Sequence, residues 1–137
     1  MTAFVLDCSI AAAWCFEDEA SRETDLLLER LQSSSAAVPA LWHWEIANVL
    51  TQAVRRQRID AAAAASRLNL MAALPIVTDT EATERAWRET FLLAQAETLT
   101  AYDAAYLELA LRLSVELATK DAPLAAAARR RGVRVTP

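Results

Sequence analysis

One glycine, one histidine, one lysine and two cysteines are all that 137 residues hold of four residue types on which many turns and sites depend. With so little histidine, a Ser/His/Asp triad or a His-rich zinc centre would rest on His43 alone. Its neighbours Trp42 and Trp44 point instead to a packing or surface role. Cys8 and Cys15 form no CxxC pair; on one helix they stand about two turns apart, too far to bridge, and read as small buried hydrophobes. No apolar run approaches the ~20 residues that cross a bilayer, which excludes a membrane span from the expectation. Nor does a basic stretch precede the first apolar run, as a secretory signal would require, so the cytoplasm is the expected compartment.

What is present is hydrophobic: 55% of the residues, with alanine abundant. Together with the scarcity of glycine this implies many helices joined by tight connections. The length predicts a single domain, residues 1–137, able to bury roughly two thirds of its unfolded surface. A net charge of −4 argues against a nucleic-acid partner, because phosphate binding is driven by Lys and Arg. The arginines are clustered, however, as Arg55, Arg56 and Arg58 and as Arg129, Arg130 and Arg131. Each cluster reads either as a solvated helix end or as a phosphate contact.

Phe4, Val5 and Leu6 read as a short buried strand that ends in Asp7, with Ser9 placed to cap a helix from Ile10 to Phe16. An acidic, solvent-facing turn, Glu17–Glu19, leads to a Leu-rich helix that closes at Ser33–Ser35. Ala36–Pro39 is a second strand. In the helix from Leu41 to Arg56, Trp42, Ile46, Val49, Leu50 and Ala53 form the buried stripe, and Glu45 lies on its border. Asp60 caps an Ala-rich helix ending near Leu74, and Pro75–Val77 is a third strand. Thr78 and Glu81 are spaced as a capping box for a helix whose Trp87, Phe91 and Ala94 repeat at core spacing. Residues 99–111 are apolar nearly all round apart from Glu108, so this helix should be central and buried. Asp103 stands in its first turn, where it reads either as a capping box with Thr100 or as an acid that needs a cation. Val115–Thr119 is a fourth strand, Asp121 is placed to cap the last helix, Gly132 ends it, and Val133–Val135 is an edge strand.

Strands alternating with helices imply an α/β fold with a mostly parallel sheet of about four to five strands, covered on both faces. In that layout Asp7, Glu45, Asp103 and Asp121 fall at or just after carboxyl ends of strands, where ligands of such sheets bind. Like charges ~4 Å apart repel by about 4 kcal/mol at an effective dielectric near 20, so four acids there require protons or a cation. Oxygen-only ligands favour Mg²⁺ or Mn²⁺ over zinc, and the chemistry such an ion serves is phosphodiester hydrolysis. Ser9 and Thr119, each two residues from an acid, either orient water or cap helices.

The strings VLDCSIAAAW, VPALWHWEIANVL, LTAYDAAYLELA and LATKDAPLAAAARRRGV, in that order, resemble the PIN-domain ribonucleases, and most closely the VapC-type toxins of toxin–antitoxin pairs. The resemblance runs from Phe4 to Val133. It implies a PIN-like three-layer sandwich, Mg²⁺- or Mn²⁺-dependent endoribonuclease activity on tRNA, rRNA or mRNA, a homodimer, and a cognate antitoxin that blocks the site. Carried over by position, it makes Asp7 and Asp103 the principal metal ligands. Glu45 and Asp121 would complete the acidic set, and Ser9 and Thr119 would support it.

Two other enzyme-like patterns fit less well. A phosphoacceptor receiver needs an adjacent acid pair after its first strand, where this chain has Asp7 and Cys8, and its third strand here leads to Asp79 in a cap. A haloacid-dehalogenase-like phosphatase needs a second acid where Ser9 stands. A PIN-like module that binds RNA or a partner without cutting is the non-enzymatic alternative, and the presence of all four acids argues against it.

Overall fold

The computed structural model describes residues 1–137. Five short strands, β1 (Thr2–Leu6), β2 (Ser35–Val38), β3 (Ile76–Thr78), β4 (Glu116–Ala118) and β5 (Val135–Thr136), form one all-parallel sheet in the order β3-β2-β1-β4-β5. Around it lie α1 (Cys8–Cys15), α2 (Arg22–Arg30), α3 (Leu41–Arg55) and α4 (Ala61–Ala72). There follow α5 (Ala82–Arg85), a π-helical turn (Ala86–Thr90), α6 (Phe91–Glu97), α7 (Ala101–Leu113) and α8 (Ala122–Arg130). This is the α/β fold with a parallel sheet that the alternation of strands and helices implied, in the PIN-like form that the resemblance implied.

β1 is central because its residues tolerate no solvent: Phe4, Val5 and Leu6 are fully buried, as is α7 from Ala104 to Ala110 apart from slight exposure at Ala105 and Glu108. α7 packs on β1 and β4 and against α6 and α8, while α1 packs on α2 and α3 and α3 on α4. The chain steps from β1 to β2 and β3 on one side, then crosses to β4 on the other. The reversal lies between β1 and β4, and ligands bind outside the carboxyl ends of the strands at such a switch point.

Several local expectations hold. Asp60 caps α4 through Ala63 N–H (2.7 Å), and Asp121 caps α8 through Leu124 N–H (3.3 Å). Gly132 follows α8 with φ +78°, the left-handed conformation that glycine reaches without strain. With no other glycine to use, the chain turns at Gln57, Thr98 and Ser114 with φ of 59°, 55° and 56°.

Other expectations need correction. Ser9 is not a helix cap: α1 begins at Cys8, and the Ser9 hydroxyl is taken by Asp7 and by the backbone of Lys120. Thr78 and Glu81 form no capping box, because Thr78 closes β3 and bonds His43 Nε2 at 2.8 Å while Glu81 turns to Arg112. Trp87 and Phe91 are not core; they are 96% and 52% exposed. The buried side of this segment is Ala82, Thr90, Leu93 and Ala94, mostly small residues that let it approach α7, and the π turn breaks the 3.6-residue phase that had placed the aromatics inside. The last strand begins at Val135, two residues later than expected.

Candidate metal centre at the switch point

Asp7 follows β1 directly, and the pairing of Leu6 with Ala118 sets Thr119 beside it at the end of β4. Asp7 is 5% exposed and both hydroxyls converge on one of its oxygens: Ser9 Oγ donates to Oδ2 at 2.6 Å and Thr119 Oγ1 at 2.7 Å. Each hydroxyl in turn accepts a backbone N–H from the loop into α8, Lys120 N–H to Ser9 (2.8 Å) and Asp121 N–H to Thr119 (3.0 Å). Donors that also accept are polarised toward the acceptor, so the network holds the Asp7 carboxyl in one orientation. It also fixes the β1–α1 junction to the β4–α8 junction. The other oxygen, Oδ1, is left for a ligand.

Glu45 reaches the rim from the second turn of α3, where it is half-buried and accepts a hydrogen bond from the Tyr106 hydroxyl of α7. Burial first, then the charges of Asp7 and Asp103, raise its pKa above the ordinary carboxylate value, against the opposing effect of the Tyr106 hydrogen bond. Tyr106 is fully buried; burial, followed by Glu45, holds its own pKa well above normal, so it serves as a donor. Sequence reasoning missed this role, and only one geometric hint could have found it: Tyr106 lies three residues after Asp103 and so shares its helix face.

Asp103 corrects one further expectation. It follows no strand; it arrives because α7 feeds β4, and a helix feeding a parallel strand runs back along it, which puts the helix N-terminus level with the strands' carboxyl ends. Thr100 Oγ1 accepts the Asp103 N–H at 3.1 Å, one half of a capping box. Burial, then Asp121, then Asp7 raise the Asp103 pKa. Asp121 caps α8 through one carboxylate oxygen, so its cap and its place in the cluster coexist. Each of the four acids therefore feels, or is felt by, at least one other. Cys8, between Asp7 and Ser9, has its thiol pushed up to about 12 by burial and by Glu45 and Asp7, which leaves it inert.

A contrasting acidic cluster lies on the other part of α7. Arg112 holds Asp79 with bonds of 2.7 and 3.0 Å and Glu108 with bonds of 2.9 and 3.1 Å. The Asp79 carboxyl is held below the usual range by Arg112, and Asp79 is thereby occupied rather than free as a phosphoacceptor. Arg58 pairs with Asp18 and Glu19, and Arg130 and Arg131 pair with Glu97. The ion pairs of the protein thus engage Asp18, Glu19, Asp79, Glu81, Glu97, Glu108 and Glu116, and none engages Asp7, Glu45, Asp103 or Asp121. The four acids are at least partly buried, and no basic side chain compensates them.

No three of these side chains close into a ready-made ligand cage. An all-oxygen set of spaced carboxylates fits a hard cation that keeps several of its waters and takes one or two carboxylates directly, and fits zinc poorly.

The sequence matches the model of the PIN domain family over residues 4–130. The chain belongs to the PIN domain family. PIN domains are in general nucleases that use divalent metal ions. PAE2754 from Pyrobaculum aerophilum, a crystal structure, superposes with a TM-score of 0.72 at 24% identity, covering 98% of this chain and 90% of that one, a likeness of fold. Among curated proteins none matches. Asp7 and Asp121 follow the two strands between which the strand order reverses, and Glu45 and Asp103 feel the charge of Asp7.

Proposed function

We propose that the protein is a divalent-metal-dependent endoribonuclease, the toxin of a VapBC-type toxin–antitoxin pair, with Mg²⁺ or Mn²⁺ as its cofactor. The observation that carries this reading is the gathering of Asp7, Glu45, Asp103 and Asp121, all without basic partners, at the switch point. Asp7 and Asp103 are the principal ligands, with Glu45 and Asp121 completing the acidic set. A bound cation there supplies activation of water and neutralises charge on a phosphodiester. Ser9 and Thr119 hold the Asp7 carboxyl aimed, and Tyr106 fixes the Glu45 carboxyl.

The resemblance of the four acid-bearing strings to VapC-type toxins supports RNA as substrate, a cognate antitoxin and a homodimer, and the lack of a secretory signal pattern supports a cytoplasmic location. Purified protein freed of any partner is expected to cut RNA with Mg²⁺ or Mn²⁺ and to stop when EDTA is added. Asp7→Asn and Asp103→Asn are expected to abolish cutting while melting cooperatively, because the amide oxygen introduced at position 7 still accepts both hydroxyls. Undiminished cutting by both variants overturns the assignment. Co-expression with the neighbouring reading frame tests the toxin role, and failure of the two products to co-purify counts against it.

A further inference from the structure

Between the first turns of α3 and α7 and the π turn lies a pocket of about 220 Å³. Its walls include Leu41 on α3, Ala86 and Thr90 on the π turn, and Ala101, Tyr102 and Ala105 on α7, and no charged side chain lines it. Leu41 lies one turn, ~5.4 Å, before Glu45, and Tyr102 immediately precedes Asp103. The pocket therefore lies against the same two helices that carry Glu45 and Asp103, although neither carboxylate lines it. Tyr102 is 67% exposed, an aromatic ring at the site's edge that the core does not use.

Electrostatics limits how RNA can be held here. The net charge is −4, and Arg58, Arg130 and Arg131 are already paired with carboxylates, which leaves Arg55, Arg56, Arg129 and Lys120 for phosphate contacts and favours a further contact that needs no charge. Stacking of a base on an aromatic ring needs no charge, and single-stranded RNA offers unstacked bases for it. A base has apolar faces and polar edges; this pocket is lined mostly by apolar residues, with Thr83, Thr90 and Tyr102 among them.

We propose that this pocket is a nucleobase subsite, in which Tyr102 stacks on a base flanking the phosphodiester at the acids. The proposal rests on the nuclease reading above and names the part of the substrate that determines where it cuts. Ala86, Ala101 and Ala105 leave the room, and a larger side chain at any of them fills it.

Fluorescence anisotropy of a labelled single-stranded oligoribonucleotide on the Asp7→Asn protein, with Mg²⁺, measures binding without cleavage. Tyr102→Ala is expected to weaken binding roughly ten-fold or more, Tyr102→Phe by less than about two-fold, and Ala105→Leu by as much as Tyr102→Ala. In wild type, an abasic residue beside the cut site should raise KM by a similar factor, with little further effect in Tyr102→Ala. Unchanged binding in Tyr102→Ala, or an abasic penalty as large in that variant as in wild type, overturns the proposal. Tyr102 is exposed, so its variants fold and the conclusion does not hang on Ala105→Leu. Cutting that persists with unchanged KM in Tyr102→Ala removes the pocket and leaves the nuclease; binding that needs Tyr102 in a protein that cuts no RNA removes the nuclease and leaves the pocket.

Discussion

Replacing Thr119 by valine removes one hydroxyl, keeps the shape, and tests whether the buried Asp7 carboxylate is held as described. Thr119 is 3% exposed, donates to Asp7 Oδ2 at 2.7 Å and accepts from Asp121 N–H at 3.0 Å. A hydrogen bond to an ionised group contributes about 1.5–3 kcal/mol and a neutral one about 0.5–1.5, so the loss should be roughly 2–4 kcal/mol. Unfolding entropy near 2.1 cal/mol/K per residue gives about 0.3 kcal/mol/K for 137 residues, and the melting temperature in EDTA should fall by roughly 7–14 °C. Thr119→Ser keeps the hydroxyl and loses one buried methyl, at about 1 kcal/mol. If the charge on Asp7 is what Thr119 serves, the penalty of Thr119→Val must shrink by about 1 kcal/mol or more when Asp7 is already asparagine. Scanning calorimetry of these proteins reads all of this. A Thr119→Val protein as stable as Thr119→Ser, or a penalty unchanged in the Asp7→Asn background, refutes the reasoning.

Other outcomes follow from the same contacts. Glu45 and Asp103 have folded pKa values raised first by burial and then by neighbouring carboxylates, so the folded state holds their protons longer than the unfolded chain does. Their penalty is absent below the unfolded carboxylate range and grows as pH rises through the folded values; in EDTA, Glu45→Gln and Asp103→Asn should therefore melt higher than wild type at neutral pH and level with it in acid, with Mg²⁺ closing the gap. Asp79 is the opposite case, its folded pKa depressed by Arg112: its contribution is present above the unfolded carboxylate range and is lost as pH falls through the folded value. Arg112→Ala should cost about 3 kcal/mol at neutral pH by stranding Asp79 and Glu108, read by urea denaturation. Ser114→Gly, at φ 56° after α7, should stabilise by about 0.5–1 kcal/mol, because glycine takes that conformation without a Cβ clash; a loss of stability contradicts the helix end described.

The parts of the fold legible in the sequence were those set by neighbours along the chain. Phe4–Leu6 ending in Asp7, the caps at Asp60 and Asp121, and the apolar stripe from Trp42 to Ala53 each depend on residues within a turn or two, and each stands where local chemistry puts it. What escaped was set by distant partners. Nothing local tells that Tyr106 bonds Glu45, 61 residues away, or that Arg112 bonds Asp79, 33 residues away. Ser9 looks like a cap until Lys120, just past the end of the neighbouring strand β4, donates its N–H to the Ser9 oxygen. Trp87 and Phe91 were misplaced because helical spacing assumes an unbroken α-helix, and the π turn at Ala86–Thr90 shifts the phase within it. Asp103 reached the rim by a route other than the one inferred, through the direction of α7 rather than the end of a strand.

Manganese can be located directly by its anomalous scattering in crystals grown or soaked with Mn²⁺. A single strong peak, or two close ones, among Asp7, Glu45, Asp103 and Asp121, lost in Asp7→Asn, is the result expected if these carboxylates are the cation site. Peaks elsewhere, or a peak that persists in Asp7→Asn and Asp103→Asn, contradicts it.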